Sequence, residues 1–437
     1  MKSRLISWGK FPQVKNQLHT FNSLADLECL IKEHSTVIAC GNGKSYGDSA
    51  LSTAIIDVKP HDLFLSFDEK TGLLHVQAGV MLSDIIEHFV PRGWFLKVVP
   101  GTKLITIGGA IASDVHGKNH HIDGCFSESI KEFSIMLADG EIKTVSKIKN
   151  KSLFQATCGG QGLTGVIIDA KFYLKKILSP VIAQTTIRTN NLRETFTAFE
   201  KHKDKAYSVA WIDCMAKEEN RGRCLLMVGD FIKKPVYGEL YYQQKSKLSI
   251  PFNFPRFSLN KYTIKAFNWI YYRKVKTGES KRHVDIDSFF FPLDAISRWN
   301  NIYGRKGFVQ YQFILPIETS YNGLEIILKK IAQSGEGSFL AVLKLYGKCN
   351  DNYLSFPLEG YSLALDFKVG DKIFTLLDEL DEIVQQLGGR IYLAKDARVS
   401  KENFEKGYPK IEKFRNYRKK QGMDKVFNSA QSQRLGL

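Results

Sequence analysis

The sequence is most informative between residues 100 and 121, where it reads PGTKLITIGGAIASDVHGKNHH. The run Gly108-Gly109-Ala110 lets the backbone approach a flat ring or a phosphate closely, because no large side chain intervenes. Four polar side chains follow within six residues: His116, Lys118, His120 and His121. No acid or cysteine stands nearby at metal-ligand spacing, so we interpret them as hydrogen-bonding groups that line a cofactor and predict no metal site.

Two further glycine-rich turns flank this segment. The first, CGNGKSYG at 40–47, follows an apolar strand predicted at 36–39, and its glycines allow backbone N–H groups to converge on a phosphate or pyrophosphate. Its spacing fits neither the P-loop nor the Rossmann pattern, and taken alone it is equally compatible with an ordinary turn. The second, CGGQGLTG at 158–165, precedes a predicted β run. Three such turns without a Rossmann helix indicate one cofactor that extends through an α+β domain.

The composition is that of a globular protein with a hydrophobic core. The chain has 437 residues, 43% hydrophobic and 24% charged, enough for two or three domains. It contains no run of 18 or more apolar residues, and its first residues contain no apolar signal-peptide core. Seven cysteines without a CxxC pair argue against a zinc site or a disulfide framework and favour a reducing, cytoplasmic setting.

The formal net charge of +17 predicts an anionic partner, unless it is ordinary solubility charge. It is concentrated at 233–282, where twelve Lys and Arg residues stand against two acids and aromatic residues are interspersed. That pattern suits the headgroup boundary of an anionic membrane, and it also suits single-stranded nucleic acid, whose bases stack on rings. A pair of basic-faced helices with a buried aromatic side is the structural alternative.

Hydrophobic periodicity and turn residues predict the elements of the fold. Helices are predicted at 22–33, 82–90, 192–202, 326–332, 373–387 and 401–420. Strands are predicted at 36–39, 51–58, 73–78, 165–174, 182–188 and 391–394, with a hairpin at 133–145 and further strands within 206–230 and 285–316. The first 175 residues therefore read as α+β.

Four stretches carry a resemblance to a known family: 107–121, YSVAWID at 207–213, GFVQYQF at 307–313 and GGRIYLAKD at 388–396. With the three glycine-rich turns, they resemble the vanillyl-alcohol-oxidase/PCMH family of flavoproteins. Within it, they are most similar to the branch that oxidises polyprenyl-phosphate ribose during a 2′-epimerisation. The similarity covers essentially the whole chain.

The resemblance implies a domain organisation. A PCMH-type, two-subdomain FAD-binding domain would occupy residues 1–175. A substrate (cap) domain, an antiparallel sheet with helices, would be inserted at 176–384 and would carry the basic aromatic region 233–282. A C-terminal segment, 385–437, would return to the FAD domain.

The resemblance also implies the residues that surround FAD, with the pyrophosphate on the glycine turn and the flavin along the 101–116 segment. The implied residues are Ala39, Cys40, Gly41, Asn42, Gly43, Lys44, Ser45, Tyr46, Gly47, Asp48, Ser49, Gly101, Thr106, Ile107, Gly108, Gly109, Ser113, Asp114, Val115, His116, Ile167 and Tyr392. Many relatives attach the flavin to a histidine in the first turn. Residues 44–46 include no histidine, so we expect noncovalent FAD.

Oxidation of a secondary alcohol needs a polar group near the hydroxyl and a cation near the flavin. By resemblance, Lys395 is the first candidate for either role and His116 the second; a surface lysine is the alternative for Lys395. Gln310 and Gln312 alternate on a predicted strand and suit a sugar, although a solvated sheet face would show the same pattern. The resemblance implies further substrate-pocket positions: Lys344, Asp366 and Lys118.

Two positions depart from the polyprenyl-phosphate ribose branch and concern the substrate rather than the flavin. Ala364 stands where that branch has a cysteine, so a thiol-directed inhibitor should not label this protein. Phe290 stands where the branch has a tyrosine, which removes one hydrogen bond to the substrate.

The resemblance thus predicts an FAD-dependent oxidoreductase that converts a secondary alcohol on a lipid-linked sugar to the ketone, as the first half of a 2′-epimerisation. A separate short-chain reductase would be its partner. The protein would be cytoplasmic and peripheral at the inner face of the membrane. Two alternatives stay open: a soluble aldonolactone or sugar oxidase of the same family, and a basic nucleic-acid-binding protein.

Overall fold

The computed structural model describes residues 4–233, 242, 248–276 and 278–437. Residues 234–241, 243–247 and 277, which include Tyr237 and Tyr241 of the basic aromatic region, lie outside the described residues.

The strands of the described chain are distributed along its whole length. They are β1 (Gln17–His19), β2 (Val37–Cys40), β3 (Ala54–Asp57), β4 (Phe64–Asp68), β5 (Leu73–Gln77), β6 (Trp94–Leu96), β7 (Ile130–Met136), β8 (Ile142–Val145), β9 (Val166–Lys176), β10 (Val181–Thr189), β11 (Tyr207–Ile212), β12 (Cys224–Phe231), β13 (Leu248–Ser249), β14 (Gly278–Asp285), β15 (Ile296–Ser297), β16 (Phe308–Pro316), β17 (Ala341–Tyr346), β18 (Gly360–Lys368) and β19 (Arg390–Ile391).

The α-helices alternate with these strands. They are α1 (Leu24–Glu33), α2 (Leu82–Phe89), α3 (Ile107–Ala112), α4 (His120–Asp123), α5 (Lys151–Thr157), α6 (Leu192–Lys201), α7 (Lys261–Arg273), α8 (Ile286–Phe290), α9 (Ile317–Ser334), α10 (Asp371–Gln386), α11 (Lys401–Gly407), α12 (Ile411–Lys420) and α13 (Ala430–Leu435).

Two sheets form the first part of the chain. In the smaller one, β3 lies between β1 and β2 and all three strands run parallel. In the larger one, the strand order is β4-β5-β9-β7-β8, antiparallel throughout, and β6 also pairs with β9. Helix α1 begins with a capping box, because Ser23 and Asp26 each accept the other's backbone N–H. The predicted α+β class is confirmed.

An eight-stranded sheet forms the second part, in the order β14-β10-β12-β11-β17-β18-β16-β19. Its neighbouring strands are antiparallel. Helices α6, α9 and α10 cover one face, against which the apolar side chains of β16, β17 and β18 pack. Side chains alternate along a strand, so the polar residues of the same three strands lie on the opposite face.

Three predicted elements differ from the structure. Helix α9 begins at Ile317, not at 326, because its first turns bury the small residues Ser320 and Gly323, which an apolar pattern does not reveal. The helix predicted at 401–420 is two helices, α11 and α12, separated before Pro409, since the residue that precedes a proline avoids helical geometry. The strand predicted at 391–394 ends at Ile391.

The C-terminal stretch packs against both parts of the chain. Strand β19 still pairs with β16, a few residues beyond the predicted boundary at 385. Beyond it, the N–H of Val37 in β2 donates to Val426 at 2.8 Å, and the buried Arg418 donates to the carbonyl of Leu163 at 2.9 Å. The division into domains at 1–175, 176–384 and 385–437 stays a prediction.

The carboxylate of Asp114 joins the two parts of the molecule. It is completely buried and accepts four hydrogen bonds, one from the N–H of Ser127 and three from side chains of the 350–355 loop: Asn350, Asn352 and Ser355. A buried acceptor with four donors is costly to remove, because each donor then loses its partner in a site closed to water.

We predict that Asp114→Ala lowers the free energy of unfolding by about 3 kcal/mol or more, because four donors, three of them on buried residues, lose their acceptor. Urea denaturation of both proteins measures the difference. Asp351→Ala is the control, since that side chain lies in the same loop but is 83% exposed. Its removal should change the free energy of unfolding by less than about 1 kcal/mol, and equal losses in the two variants would contradict the role of Asp114.

Candidate active site

The glycine turn 40–47 forms a cradle of backbone N–H groups at the end of β2. Gly43 has φ of +59°, a left-handed conformation that glycine adopts without strain. The N–H groups of Asn42, Ser45 and Gly47 donate to no acceptor within the part of the chain that the structure describes. Three unpaired N–H donors within one glycine-rich turn are what an anion-binding turn supplies, so the turn fits a pyrophosphate.

The segment from 100 to 116 lies beside this turn. A Cβ on Gly41 would stand 2.0 Å from Oγ1 of Thr106, so only glycine permits the contact. Thr106 caps helix α3 by accepting the N–H of Gly109 at 3.2 Å. A Cβ on Gly101 would meet no atom within 4 Å, and one on Gly109 would meet only Thr106. Open backbone next to an anion cradle fits a large planar cofactor that carries phosphate.

The third glycine-rich turn supports helix α3 rather than opening onto the cradle. The N–H groups of Gly159 and Gln161 donate to the carbonyls of Ile111 and Ala112 at the end of α3. Ile167 follows in β9 and lines a separate cavity of about 210 Å³ together with Phe21 and His61. Phe21 follows β1 and His61 follows β3, so this cavity lies at the same carboxyl edge of the parallel sheet as the glycine turn.

Four of the predicted substrate residues lie together on the polar face of the second sheet. Gln310 stands opposite Asp366 in the β16–β18 ladder and donates a hydrogen bond to its carboxylate. Gln312 is two residues further along β16, and its amide lies 3.3 Å from Nε2 of His116. Lys344 stands opposite Ser362 in the β17–β18 ladder. Ser362 was not predicted; it alternates with Ala364 on this face and lies 3.4 Å from the amide of Gln312.

Lys395 reaches the same place from the turn after β19. The N–H groups of Lys395 and Asp396 both donate to the carbonyl of Tyr392, which makes the turn, and the ammonium nitrogen of Lys395 lies 3.6 Å above the ring of Tyr46. Burial lowers the pKa of Lys395 well below its ordinary value, Asp366 opposes that shift, and Lys344 adds to it. Burial raises the pKa of Asp366, which the hydrogen bond from Gln310 and the charge of Lys395 only partly offset.

Two further lysines have lowered pKa values. Burial lowers the pKa of Lys344 to about 8, and no acceptor or carboxylate of the described ranges pairs with its amine. Burial and the charge of Lys344 lower the pKa of Lys118 to about 7. Lys118 donates to the carbonyl of Phe289. The amines of Lys118, Lys344 and Lys395 are thus all poorly hydrated. Asp366 is the acid that acts on the pKa of Lys395.

His116 forms the wall between the two parts of the site. Burial, then the charges of Lys344, His120 and Lys395, hold its pKa well below the ordinary value, so its imidazole is neutral. Its ring packs against Tyr346, Phe356 and Tyr392. Its Nδ1 is buried without a partner among the described residues. A buried ring nitrogen without a partner, in the segment that follows α3, fits a cofactor with polar ring atoms.

Some predicted cofactor residues use their side chains elsewhere. The carboxylate of Asp114 accepts hydrogen bonds from the 350–355 loop. The carboxylate of Asp48 binds Arg434 through both oxygens, at 2.9 and 3.2 Å. Only the backbones of Asp48 and Asp114 remain available to a cofactor, next to the glycine turn and after helix α3. The pair of Asp48 and Arg434 was missed because Arg434 is distant in sequence, although it stands in a C-terminal stretch that the resemblance already covers. Tyr303, whose hydroxyl lies 3.4 Å from Asp366, was also missed and has no sequence signal.

No three His, Cys, Asp or Glu side chains of the described ranges gather where they could hold a metal ion. None of the helices in the same ranges is both long and apolar enough to cross a membrane.

Comparison with known proteins gives one family model and several relatives. A model described as an FAD binding domain matches residues 17–146. Decaprenylphosphoryl-β-D-ribose oxidase of Mycolicibacterium smegmatis is 34% identical, with 99% of this chain and 97% of that protein aligned. L-gulonolactone oxidase of Scyliorhinus torazame is 22% identical over 89% of this chain and 87% of its own. D-lactate dehydrogenase of Anaerostipes hadrus is 28% identical, but over only 29% of this chain and 27% of its own.

The lowered pKa of Lys344 predicts how stability depends on pH. Its folded pKa is about 8 against an ordinary 10.5, so between those values the unfolded chain binds one more proton than the folded one. The free energy of unfolding therefore rises with pH across this window. In the flavin-free protein, Lys344→Gln should reduce that slope by up to about 1.4 kcal/mol per pH unit, as measured by urea denaturation from pH 7.5 to 10.

Lys348→Gln is the matched control, because Lys348 is exposed two residues beyond β17. It should leave the slope unchanged. A Lys344→Gln protein whose stability has the same pH dependence as the unsubstituted chain would show that Lys344 is not desolvated.

Proposed function

The chain belongs to the family of FAD-binding oxidases that includes decaprenylphosphoryl-β-D-ribose oxidase, and on that premise we propose that it oxidises a secondary alcohol of a sugar carried on a polyprenyl phosphate. It is thus an oxidoreductase that uses FAD. The product is the keto sugar, and the oxidation is the first half of a 2′-epimerisation. A short-chain reductase that returns the ketone to an alcohol of opposite configuration completes the conversion.

The observation that carries this proposal is the presence of three lysines with lowered pKa values at the candidate site. Lys118, Lys344 and Lys395 have pKa values lowered by burial. A substrate phosphate beside Lys118 and Lys344 would restore the charged form of those two amines, while Lys395 serves the reacting hydroxyl. A sugar phosphate brings a negative charge, whereas a neutral lactone does not. The amides of Gln310 and Gln312 project from the same face and suit the hydroxyl groups of a sugar.

Each polar residue has a task in the oxidation. Lys395, whose lowered pKa leaves more of its amine neutral, binds the reacting hydroxyl and accepts its proton. Asp366 accepts a hydrogen bond from Gln310, and its carboxylate form favours the resulting ammonium of Lys395. His116 remains neutral and fixes Gln312. Bound FAD supplies the acceptor for the two electrons and the hydrogen that leave the alcohol carbon.

We infer that FAD is held without a covalent bond. The turn residues 44–46 include no histidine, and His116 is itself closed in by Tyr346, Phe356 and Tyr392. The unpaired N–H groups of the glycine turn and the open backbone at Gly101 and Gly109 would hold the cofactor.

The basic aromatic region supports a role at a membrane surface. Large apolar side chains are exposed on and before helix α7: Leu248, Phe252, Phe257, Tyr262, Trp269 and Ile270. Exposed Lys261, Lys265 and Lys274 stand among them. This exposure disfavours a helix pair that buries its aromatic side. We propose that α7 rests on the anionic inner face of the membrane, where it receives the lipid-linked substrate.

The oxidation is tested by anaerobic bleaching of the bound flavin. Polyprenyl-phosphate pentoses should bleach the flavin absorbance, and free aldonolactones should bleach it at least about tenfold more slowly, because they leave the lysines without an anion. Lys395→Ala should slow bleaching about 100-fold or more while FAD stays bound. Lys410→Ala, an exposed lysine paired with Asp351, is the control and should bleach normally.

The opposite ranking of substrates would favour the second candidate, an aldonolactone oxidase, which the alignment with L-gulonolactone oxidase over 89% of the chain supports. A preparation without a flavin band that binds single-stranded nucleic acid in low salt would favour the basic nucleic-acid-binding protein instead.

If α7 rests on the membrane, the protein should sediment with vesicles that contain about 30% anionic lipid. Salt should weaken this binding, because the lysines attract the headgroups. Replacing Phe257 and Trp269 by serine should release most of the protein from the vesicles. Ile148→Ser is the matched control, since Ile148 is 95% exposed but lies on the β8–α5 loop, outside α7. Equal release by both proteins, or binding to neutral vesicles alone, would contradict the assignment to α7.

A further inference from the structure

The last helix of the chain carries an arginine between two buried carboxylates. In α13, the guanidinium of Arg434 lies 2.9 Å from Asp48 and 2.8 Å from Asp396. The two carboxylates are 2% and 4% exposed, respectively. Arg434 also donates to the carbonyl of Val399 at 2.6 Å. The two carboxylates are thus desolvated, and they depend on the partly buried guanidinium for charge balance.

The two carboxylates belong to the two segments that make the site. Asp48 directly follows the glycine turn, and Asp396 directly follows Lys395. The segments also touch through their backbones, since a Cβ on Gly47 would stand 1.8 Å from the carbonyl oxygen of Asp396. The N–H of Tyr46 donates to the carbonyl of Ala394 at 3.1 Å.

Helix α13 holds the same two segments at further points. The N–H of Ala430 donates to the carbonyl of Leu51 at 2.7 Å, beyond the glycine turn. The amide of Gln431 donates to the carbonyl of Leu393 at 2.8 Å, two residues before Lys395. The helix therefore touches the chain on both sides of the contact between Gly47 and Asp396.

We propose that Arg434 is a positioning residue, which fixes the N–H cradle of the glycine turn relative to Lys395 and so couples FAD binding to the reacting hydroxyl. This role rests on FAD binding and on the proposed task of Lys395. It is specific to a bidentate cation: Arg434 binds both oxygens of Asp48 while one of its nitrogens also reaches Asp396. A lysine can replace its charge but not this fork.

Without the guanidinium, Asp48 and Asp396 would repel each other across a site closed to water. Burial works to raise the pKa of Asp396, but Arg434 and the N–H groups of Arg398 and Val399 hold that pKa below its ordinary value. The N–H groups of Arg398 and Val399 would still favour the charged form of Asp396. Burial already raises the pKa of Asp48 even beside Arg434, so the turn that carries Asp48 would lose its ionic anchor and move away. That movement opens the contact between Gly47 and Asp396 and displaces the cradle.

The charge balance around Lys395 would change as well, because Asp396 is the next residue along the chain. Its amine faces Asp366 from β18, Lys344 from β17, the ring of Tyr46 from the glycine turn and His116 beyond α3. Loss of the positive guanidinium next to Asp396 favours the protonated amine, so the pH at which Lys395 becomes neutral rises. A purely structural arginine would not move that pH.

The test compares Arg434→Met with Arg434→Lys and with Arg415→Met. Arg415 holds the same helix through the carbonyls of Leu435 and Gly436, but it contacts neither the glycine turn nor residues 394–396. FAD is titrated into each apoprotein, and its dissociation constant is read from quenching of flavin fluorescence. Thermal unfolding of each apoprotein separates loss of fold from loss of the cradle.

We expect Arg434→Met to raise the FAD dissociation constant about tenfold or more and Arg434→Lys to raise it less. The pH midpoint of flavin reduction should shift upward in Arg434→Met alone. Arg415→Met should lower the melting temperature and change neither the FAD affinity nor the midpoint. An Arg434→Met protein with unchanged FAD affinity and an unchanged midpoint overturns the proposal, even if it melts earlier.

If Arg434→Met does not fold, Asp48→Asn tests the positioning role of Arg434 instead. Asp48→Asn keeps the pair between Arg434 and Asp396 but weakens the hold on the glycine turn, so FAD affinity should fall; unchanged affinity overturns the proposal. The FAD titration uses no sugar substrate. If no polyprenyl-phosphate sugar bleaches the flavin, the FAD affinities of the variants still test the role of Arg434. If those affinities are unchanged, the bleaching experiment still tests the proposed substrate.

Discussion

The contact between Gly47 and the carbonyl of Asp396 is the constraint on which the rest of the site depends. The oxygen occupies the space where any side chain at position 47 would begin, at 1.8 Å from an ideal Cβ. Two distant segments can approach so closely only because one of them has no side chain. That approach puts Lys395 above Tyr46 and puts the anion cradle next to the polar face of the second sheet. Glycine is therefore required at position 47 by the neighbouring backbone, independently of any bound anion.

Desolvation sets the chemistry within this frame. Lys344, Lys395 and Asp366 all have pKa values moved towards neutral pH by burial, so each changes charge where an exposed side chain would not. The helices on the far face of the second sheet hold β16, β17 and β18 in register, and the register in turn places Gln310 opposite Asp366. The apolar core therefore decides which polar groups meet.

The sequence predicts local features well and distant partnerships poorly. Glycine spacing indicates the turns, and alternation along 308–316 correctly puts Gln310 and Gln312 on one face. The resemblance identifies Lys395 and His116, which the structure brings to the same cluster. The partners of Asp114 and Asp48 could not be predicted, because Asn352 and Arg434 lie hundreds of residues away and any surface asparagine or arginine has the same local signature. Composition likewise does not distinguish the exposed aromatic residues of α7 from buried ones.

The return of the C-terminal stretch to β2 has a consequence for biosynthesis. The N–H of Val37 and the N–H of Tyr46 find their acceptors at Val426 and Ala394, near the end of the chain. A ribosome that has emitted the first two thirds of the protein has released the parallel strands β1, β2 and β3 and the glycine turn, but none of these acceptors. The glycine turn and β2 therefore gain these two acceptors only after residue 426 has been synthesised, and shorter nascent chains cannot hold the cofactor as the folded protein does.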